Sequence, residues 1–355
     1  MLSYDFHVLA GDILSQRDSW NALWEEWPDH EIFAHPDYIN LFCQREERAV
    51  CAVWMSKDGG VLFPLIIRPL SMEKWAVGAG YVNDLTGPYG YGGPYRWGNV
   101  NPDTFWESFD SWAKKNRVVS LFTRLSLFKD QLLPFRGSVE LIATNIVRTL
   151  DAPIEVLWAR YEHKVRKNVN RAQKEGVVIE RDDYGARIDD FLDVYYSTMR
   201  RRGAGQAYWF TKEFFLSIVS QLKNNYTFFY ALKHDRVISA ELILVSGRHL
   251  YSYLGGTLAE AYLLRPNDLL KHNIIRWGLE LGKSGFVLGG GYSGTDGIFR
   301  YKRSFAPDGE VPFYVGKRVW DDKLYTSIVE MRRAFEINSG NLWEPNAKYF
   351  PLYRG

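Results

Sequence analysis

The stretch YTFFYALKHDRVISAELILVSGRHLYSYLGG, residues 226–256, decides the fold. Its β-branched and aromatic runs, interrupted by short polar turns, read as three strands in a meander. Downstream, PNDLLKHNIIRWGLELGKSG (266–285) switches to helical period, with Leu269, Leu270, Asn273, Ile274, Trp277 and Leu281 along one side. FVLGGG (286–291) follows as a short buried strand, and EVPFYVG (310–316) as another after a long loop. Upstream, DDFLDVYYSTMRRRG (189–203), ending at Gly203, and TKEFFLSIVSQLK (211–223) carry helical signals. Helices, meander, helix, strand, loop and strand predict an α/β domain with a mixed sheet.

The chain has 355 residues, more than one core usually organises, so a second domain is expected in the first 150 residues. There VLFPLIIRPL (61–70) reads as a strand, and TFWESFDSWAKKN (104–116) places Phe105, Phe109 and Trp112 at helical spacing. Between them NDLTGPYGYGGPYRWG (83–98) is dense in Gly, Pro and Tyr. It reads either as a structured crossover loop or as a ligand-binding loop, with Asp84 and Tyr89 as its candidate substrate contacts.

Hydrophobic residues make up 46% of the chain and charged ones 24%, the balance of a globular protein. The formal net charge is only +2, so affinity for an anion must come from a local patch. Cys43 and Cys51 form no C-x-x-C motif and no disulfide framework, which fits a reducing compartment. MLSYDFHVLAGDILSQ lacks the basic start and apolar run of a signal peptide. No stretch approaches the ~20 apolar residues that span a bilayer, and a cytoplasmic location is expected.

Charge is organised along the segment that opens the second half, read as one helix with Asp151 as N-cap and Pro153 in its first turn. Arg160, Lys164, Lys167, Arg171 and Lys174 recur at steps of three and four, so they share one stripe. Ile154, Leu157, Tyr161, Val165, Val169 and Ala172 form an apolar stripe beside it. A solvated face normally mixes signs, so this one-sign ridge suits phosphate or nucleic acid as well as idle surface. Thr198, Arg200, Arg201 and Arg202 close the next helix, where cations meet the helix dipole or bind phosphate.

Metal-site spacings, G-x-S-x-G and G-x-x-x-x-G-K-[ST] are absent. GGGYSGTDGIFRYKRSF (289–305) opens with G-x-G-x-x-G after a strand, but Asp296, Gly297 and an aromatic-basic run follow where a phosphate-binding helix should start. The dinucleotide reading is therefore set aside.

Four stretches, in order, resemble the FemAB/FemX-like acyltransferases, a group that includes GNAT-like or BioF2-like acetyltransferases. They are PYGYGGPY (88–95), HKVRKNVNRAQKEGVVIE (163–180), LGGTLAEAYLLRPNDLLKHNIIRWGLELG (254–282) and LGGGYSGTDGIFRYKRSF (288–305). The resemblance implies two GNAT-like domains, each a mixed, largely antiparallel sheet flanked by helices. They would be residues 1–150, rejoined by 325–355, and residues 151–324, facing each other across a cleft. It implies transfer of an activated acyl group, often from aminoacyl-tRNA, to a primary amine of a peptide, sugar or small molecule. The family's loop lysine and its aromatic neighbour fall on Lys302 and Tyr301. Its acceptor-phosphate pair falls on Thr198 and Arg200, and its strand tyrosines on Tyr251 and Tyr253. Lys164, Lys167 and Arg171, with Arg303, match its tRNA-facing cations.

Two departures accompany the match. LRPNDLL (264–270) stands where the acetyl-CoA signature would place glycines. IFAHPDYINLFCQ (32–44) has no counterpart of the lysine that binds peptidoglycan acceptors. The expected reaction is direct attack of a neutral amine on an activated carbonyl, with Lys302 and Tyr253 near the reacting atoms and no tightly bound cofactor. Acyl-CoA-dependent N-acetylation and non-catalytic glycan binding are the alternatives.

Overall fold

The computed structural model describes residues 5–291 and 296–355. Tyr292–Thr295, which complete the G-x-G-x-x-G pattern, and the first residues of the amino-terminal stretch lie outside the described residues. In chain order the strands are β1 (Phe6–Ala10), β2 (Arg48–Ser56), β3 (Gly59–Pro69), β4 (Asn83–Thr86), β5 (Tyr95–Gly98), β6 (Val118–Arg124), β7 (Ser138–Thr149), β8 (Val178–Asp182), β9 (Tyr226–Lys233), β10 (Arg236–Val245), β11 (His249–Thr257), β12 (Gly285–Gly289) and β13 (Glu310–Val319). The α-helices are α1 (Leu14–Glu26), α2 (Pro36–Asn40), α3 (Pro102–Lys115), α4 (Ile154–Arg160), α5 (His163–Lys174), α6 (Ile188–Arg202), α7 (Lys212–Gln221), α8 (Pro266–Glu280), α9 (Gly297–Arg303) and α10 (Asp322–Asn338). No helix among the described residues is long and apolar enough to cross a membrane.

Residues Met1–Pro28, Phe33–Ile142 and Phe313–Gly355 form one unit. Its strand order is β1-β2-β3-β4-β6-β13. The tyrosine-rich segment runs along a single edge of β3: β5 pairs with Gly59–Leu62 and β4 with Ile66–Pro69. Asn101 caps α3, accepting from the Asp103 amide at 2.9 Å, and Pro102 supplies the preset first turn. Phe105, Trp106 and Phe109 of α3 then pack on Phe63, Leu65, Leu85 and Leu121. The chain rejoins this unit at Phe313, earlier than 325, because β13 pairs antiparallel with β6 from Val315↔Arg124 to Val319↔Ser120. Ile328 and Val329 of α10 join Leu70, Trp75, Val119 and Tyr353 in a second cluster.

Asp29–Ile32 and Ala143–Pro312 form the other unit, with strand order β7-β12-β11-β10-β9-β8. The meander is antiparallel throughout, and β12 joins β11 in parallel. Adjacent residues of β9 show how the sheet is covered, since neighbours on a strand point to opposite faces. Phe228 meets Phe191 of α6 edge to face at 5.0 Å, while Phe229 lies 5.4 Å from Trp277 of α8. The sheet thus carries helices on both faces, which is why these strands read as unbroken apolar runs.

Two local expectations are corrected. The basic segment is two helices, because Tyr161 turns extended (ψ 149°) and packs its ring against Trp158, His272 and Phe305. The Arg166 guanidinium takes the carbonyls of Ala159 and Tyr161 at the end of α4. Arg160 leaves the ridge for Asp151, at 2.9 Å, so Asp151 caps nothing and Pro153 itself holds the N-cap position. The second correction is α9, a seven-residue helix where a loop was expected. The Asp296 carboxylate accepts from the Ile298 and Phe299 amides at 2.7 and 2.9 Å. A helix start occupied by the chain's own carboxylate repels phosphate, so the dinucleotide reading fails for this reason rather than for want of a helix.

Candidate active site

The parallel pairing of β11 with β12 ends at Tyr251↔Val287. One residue later the β10–β11 register shifts, with Leu242 opposite Leu254 but Ile243 opposite Ser252, a bulge centred on Tyr253. A pocket of about 690 Å³ opens along residues 252–257, walled by the start of α8, the end of α6, α5 and α9.

Lys302 projects into this pocket from α9, and its Nζ donates to the Gly290 carbonyl at 2.7 Å. Gly289 makes the approach possible: it sits at φ +80°, and a Cβ there would stand 3.1 Å from that Nζ. Burial, and then the Lys271 charge, bring the Lys302 pKa down to about 8; the Glu241 and Asp296 carboxylates oppose that fall. Lys271 is itself buried, donating to Glu241 and, at 2.8 Å, to the Ser252 hydroxyl, which also donates to Glu241. Glu241 faces α8 because it pairs across the sheet with Phe229, whose ring meets Trp277.

Asp268 stands in the first turn of α8 and is 6% exposed. Asn168 of α5 donates to it at 3.1 Å. Burial raises its pKa to about 6, against the pull of Asn168, Arg265 and Lys164. The Tyr301 hydroxyl is buried with no hydrogen-bond partner among the described residues, and burial with the Asp268 and Glu241 charges pushes its pKa well up.

Of the residues expected at a site, Lys302, Tyr301, Tyr253, Thr198 and Lys164 line this one pocket. Arg200 is exposed off its wall; Arg202 lines it instead, and Arg201 reaches the Thr198 hydroxyl at 3.4 Å. Tyr251 does not share a wall with Tyr253, because the bulge intervenes, and its hydroxyl donates to Glu31 at 2.6 Å. Lys167 and Arg171 lie on the exposed side of α5, and Arg303 pairs with Glu310 at 3.0 Å. Tyr89 and Asp84 belong to the other unit, where Asp84 is fully buried between Arg68 and Arg354.

Sequence reasoning missed Asp268, Glu241, Lys271 and Ser252. A signal was present: Glu241 is a lone charge inside RVISAELILV, and Lys271 lies among the apolar positions of the following helix. Such charges are rarely buried unless paired.

The family described as Acetyltransferase (GNAT) domain matches residues 159–303. No curated protein sequence was found to match the chain. Among solved structures, the chain is similar to FemX, at 12% identity and TM-score 0.65, over 88% of this chain and 98% of that one. It is also similar to the C-terminal domain of an Agrobacterium fabrum protein described as a lysylphosphatidylglycerol synthetase, at 14% identity and TM-score 0.53, over 88% and 96% of the two chains. A conserved Bacteroides thetaiotaomicron protein of unknown function aligns at 10% identity and TM-score 0.56, over 88% and 99%. The residues similar to the GNAT acetyltransferase domain thus enclose the pocket and its lysine, and the fold of the chain is FemX-like.

Proposed function

We propose that the protein moves an aminoacyl group from aminoacyl-tRNA to a primary amine by direct attack, in the cytoplasm where charged tRNA is found. The observation that carries this reading is Lys302, a desolvated cation at the wall of a substrate-sized pocket. Charge develops on the carbonyl oxygen as the amine adds, and a preplaced cation away from water stabilises it most.

Two features favour a tRNA donor over coenzyme A. The start of α8 offers little to a pyrophosphate: Pro266 has no N–H, and the Asp268 carboxylate occupies the same turn. By contrast α5 exposes Lys164, Lys167, Arg171 and Lys174, and Lys164 reaches the pocket wall beside Arg202 and Arg265.

The test is transfer of a labelled amino acid from alanyl-tRNA, run beside acetyl-CoA across a salt series. Donor affinity should fall steeply with salt, and changing Lys164, Lys167 and Arg171 together to Ala should flatten the log–log slope by roughly 2, at about 0.7 per phosphate contact. Acetyl transfer from acetyl-CoA, indifferent to these three cations, would overturn the tRNA reading and leave the acyltransferase.

A further inference from the structure

We propose that Asp268 receives the proton of the acceptor amine, a role that rests on the acyl-transfer reading above. An amine reaches the pocket as an ammonium ion and cannot attack until it loses a proton. The base must therefore sit in the pocket, be ionised at neutral pH, and hold a proton briefly.

Asp268 meets these needs by its position. The first turn of α8 directs its carboxylate to the pocket wall, and Asn168 fixes it from α5. The pocket it lines also holds the cations Lys164, Arg202, Arg265, Lys271 and Lys302, the carboxylates Glu241 and Asp296, and the phenols of Tyr253, Tyr262 and Tyr301. Of the other carboxylates there, Glu241 already accepts from Lys271 and Ser252, and Asp296 accepts from the Ile298 and Phe299 amides as the cap of α9, so both are engaged by standing partners. Asp268 accepts from the neutral side-chain amide of Asn168 instead, which leaves it free to gain and lose a proton.

A second, independent feature points to a ligand beside it. The Tyr301 hydroxyl is buried without a partner among the described residues although the Asp268 charge reaches it. A buried polar group left so is destabilising, and a bound amine or carbonyl would relieve it.

The step balances as follows. The ammonium gives one proton to Asp268, which passes it to solvent. The nitrogen lone pair attacks the carbonyl carbon, the C–N bond forms, and the oxyanion faces Lys302. The C–O bond to the ribose then breaks, and the second nitrogen proton travels through Asp268 to the departing oxygen. Raised to about 6, Asp268 is ionised above that pH, so activity should climb through about pH 6. Brought down to about 8, Lys302 is charged below that pH, so activity should fall beyond it. The expected profile is a bell between the two.

The experiment compares wild type with Asp268→Asn, which keeps the shape and the Asn168 contact. Alanyl-tRNA is the donor, and cadaverine or hydroxylamine, a weakly basic amine already neutral at pH 7, is the acceptor. With cadaverine the variant should lose ~10²-fold or more and its acid limb. With hydroxylamine, which is spared the first deprotonation, the loss should shrink at least tenfold. An equal loss with both acceptors, or an acid limb unchanged in the variant, would overturn the assignment. Calorimetry of cadaverine without donor reads the same carboxylate: binding above pH 6 should weaken in Asp268→Asn, and equal binding overturns the role. A wild type that moves no acyl group from alanyl-tRNA or acetyl-CoA instead overturns the acyl-transfer reading, with the calorimetric result standing apart.

Discussion

Lys302→Met is expected to lower kcat by ~10²-fold or more at pH 7, with little change in thermal stability. Among the described residues the side chain has one hydrogen bond, to Gly290, so its removal unpairs a single carbonyl rather than a network. The pH dependence gives a sharper form of the same test. A lysine brought down to about 8 by burial and the neighbouring Lys271 loses its charge as pH rises through that value, so a cationic role predicts falling kcat there. Glu241→Gln removes the carboxylate that opposes the fall and leaves Lys271 uncompensated. The alkaline limb should then move to lower pH. Activity that rises through pH 8, or survives in Lys302→Met, would exclude a cation at this position.

Asp84→Ala is expected to cost about 3–5 kcal/mol of stability, the usual penalty for stranding buried partners of an ion pair. Its two carboxylate oxygens accept from Arg68 and Arg354, each at 2.6 Å, and it has no exposed surface. Arg354 also grips Glu73 at 2.6 Å, so the carboxyl-terminal residues are clamped to β4 through this network. Urea unfolding of the variant measures the loss. A change under about 1 kcal/mol, together with a raised KM for the acceptor, would instead return Asp84 to the substrate contacts.

Much of the fold was legible in residues 226–256, because backbone hydrogen bonding and cross-strand packing leave an apolar run of that length few alternatives. The bounds of β9, β10 and β11 follow the three runs, and α8 begins at the proline that opens its helical pattern. The break between α4 and α5 was not legible. It depends on Tyr161 meeting His272 and Phe305, residues more than a hundred positions away that no local period encodes. The site was legible in the same measure. Lys302 and Tyr301 could be named through the resemblance their stretch carries, but the helix that holds them is set by an Asp296 cap after the glycines.

By itself, then, the sequence determined the meander and the helices flanking it, since each rests on local period and turn chemistry, while the lysine at the end of the glycine run was singled out by the family resemblance. Only the tertiary structure decided what surrounds that lysine. Glu241, Lys271 and Asp268 come from three segments, and their charges acquire meaning through burial and mutual distance. Both quantities belong to the folded chain, because desolvation and Coulomb energy depend on position in space and not on order along the chain.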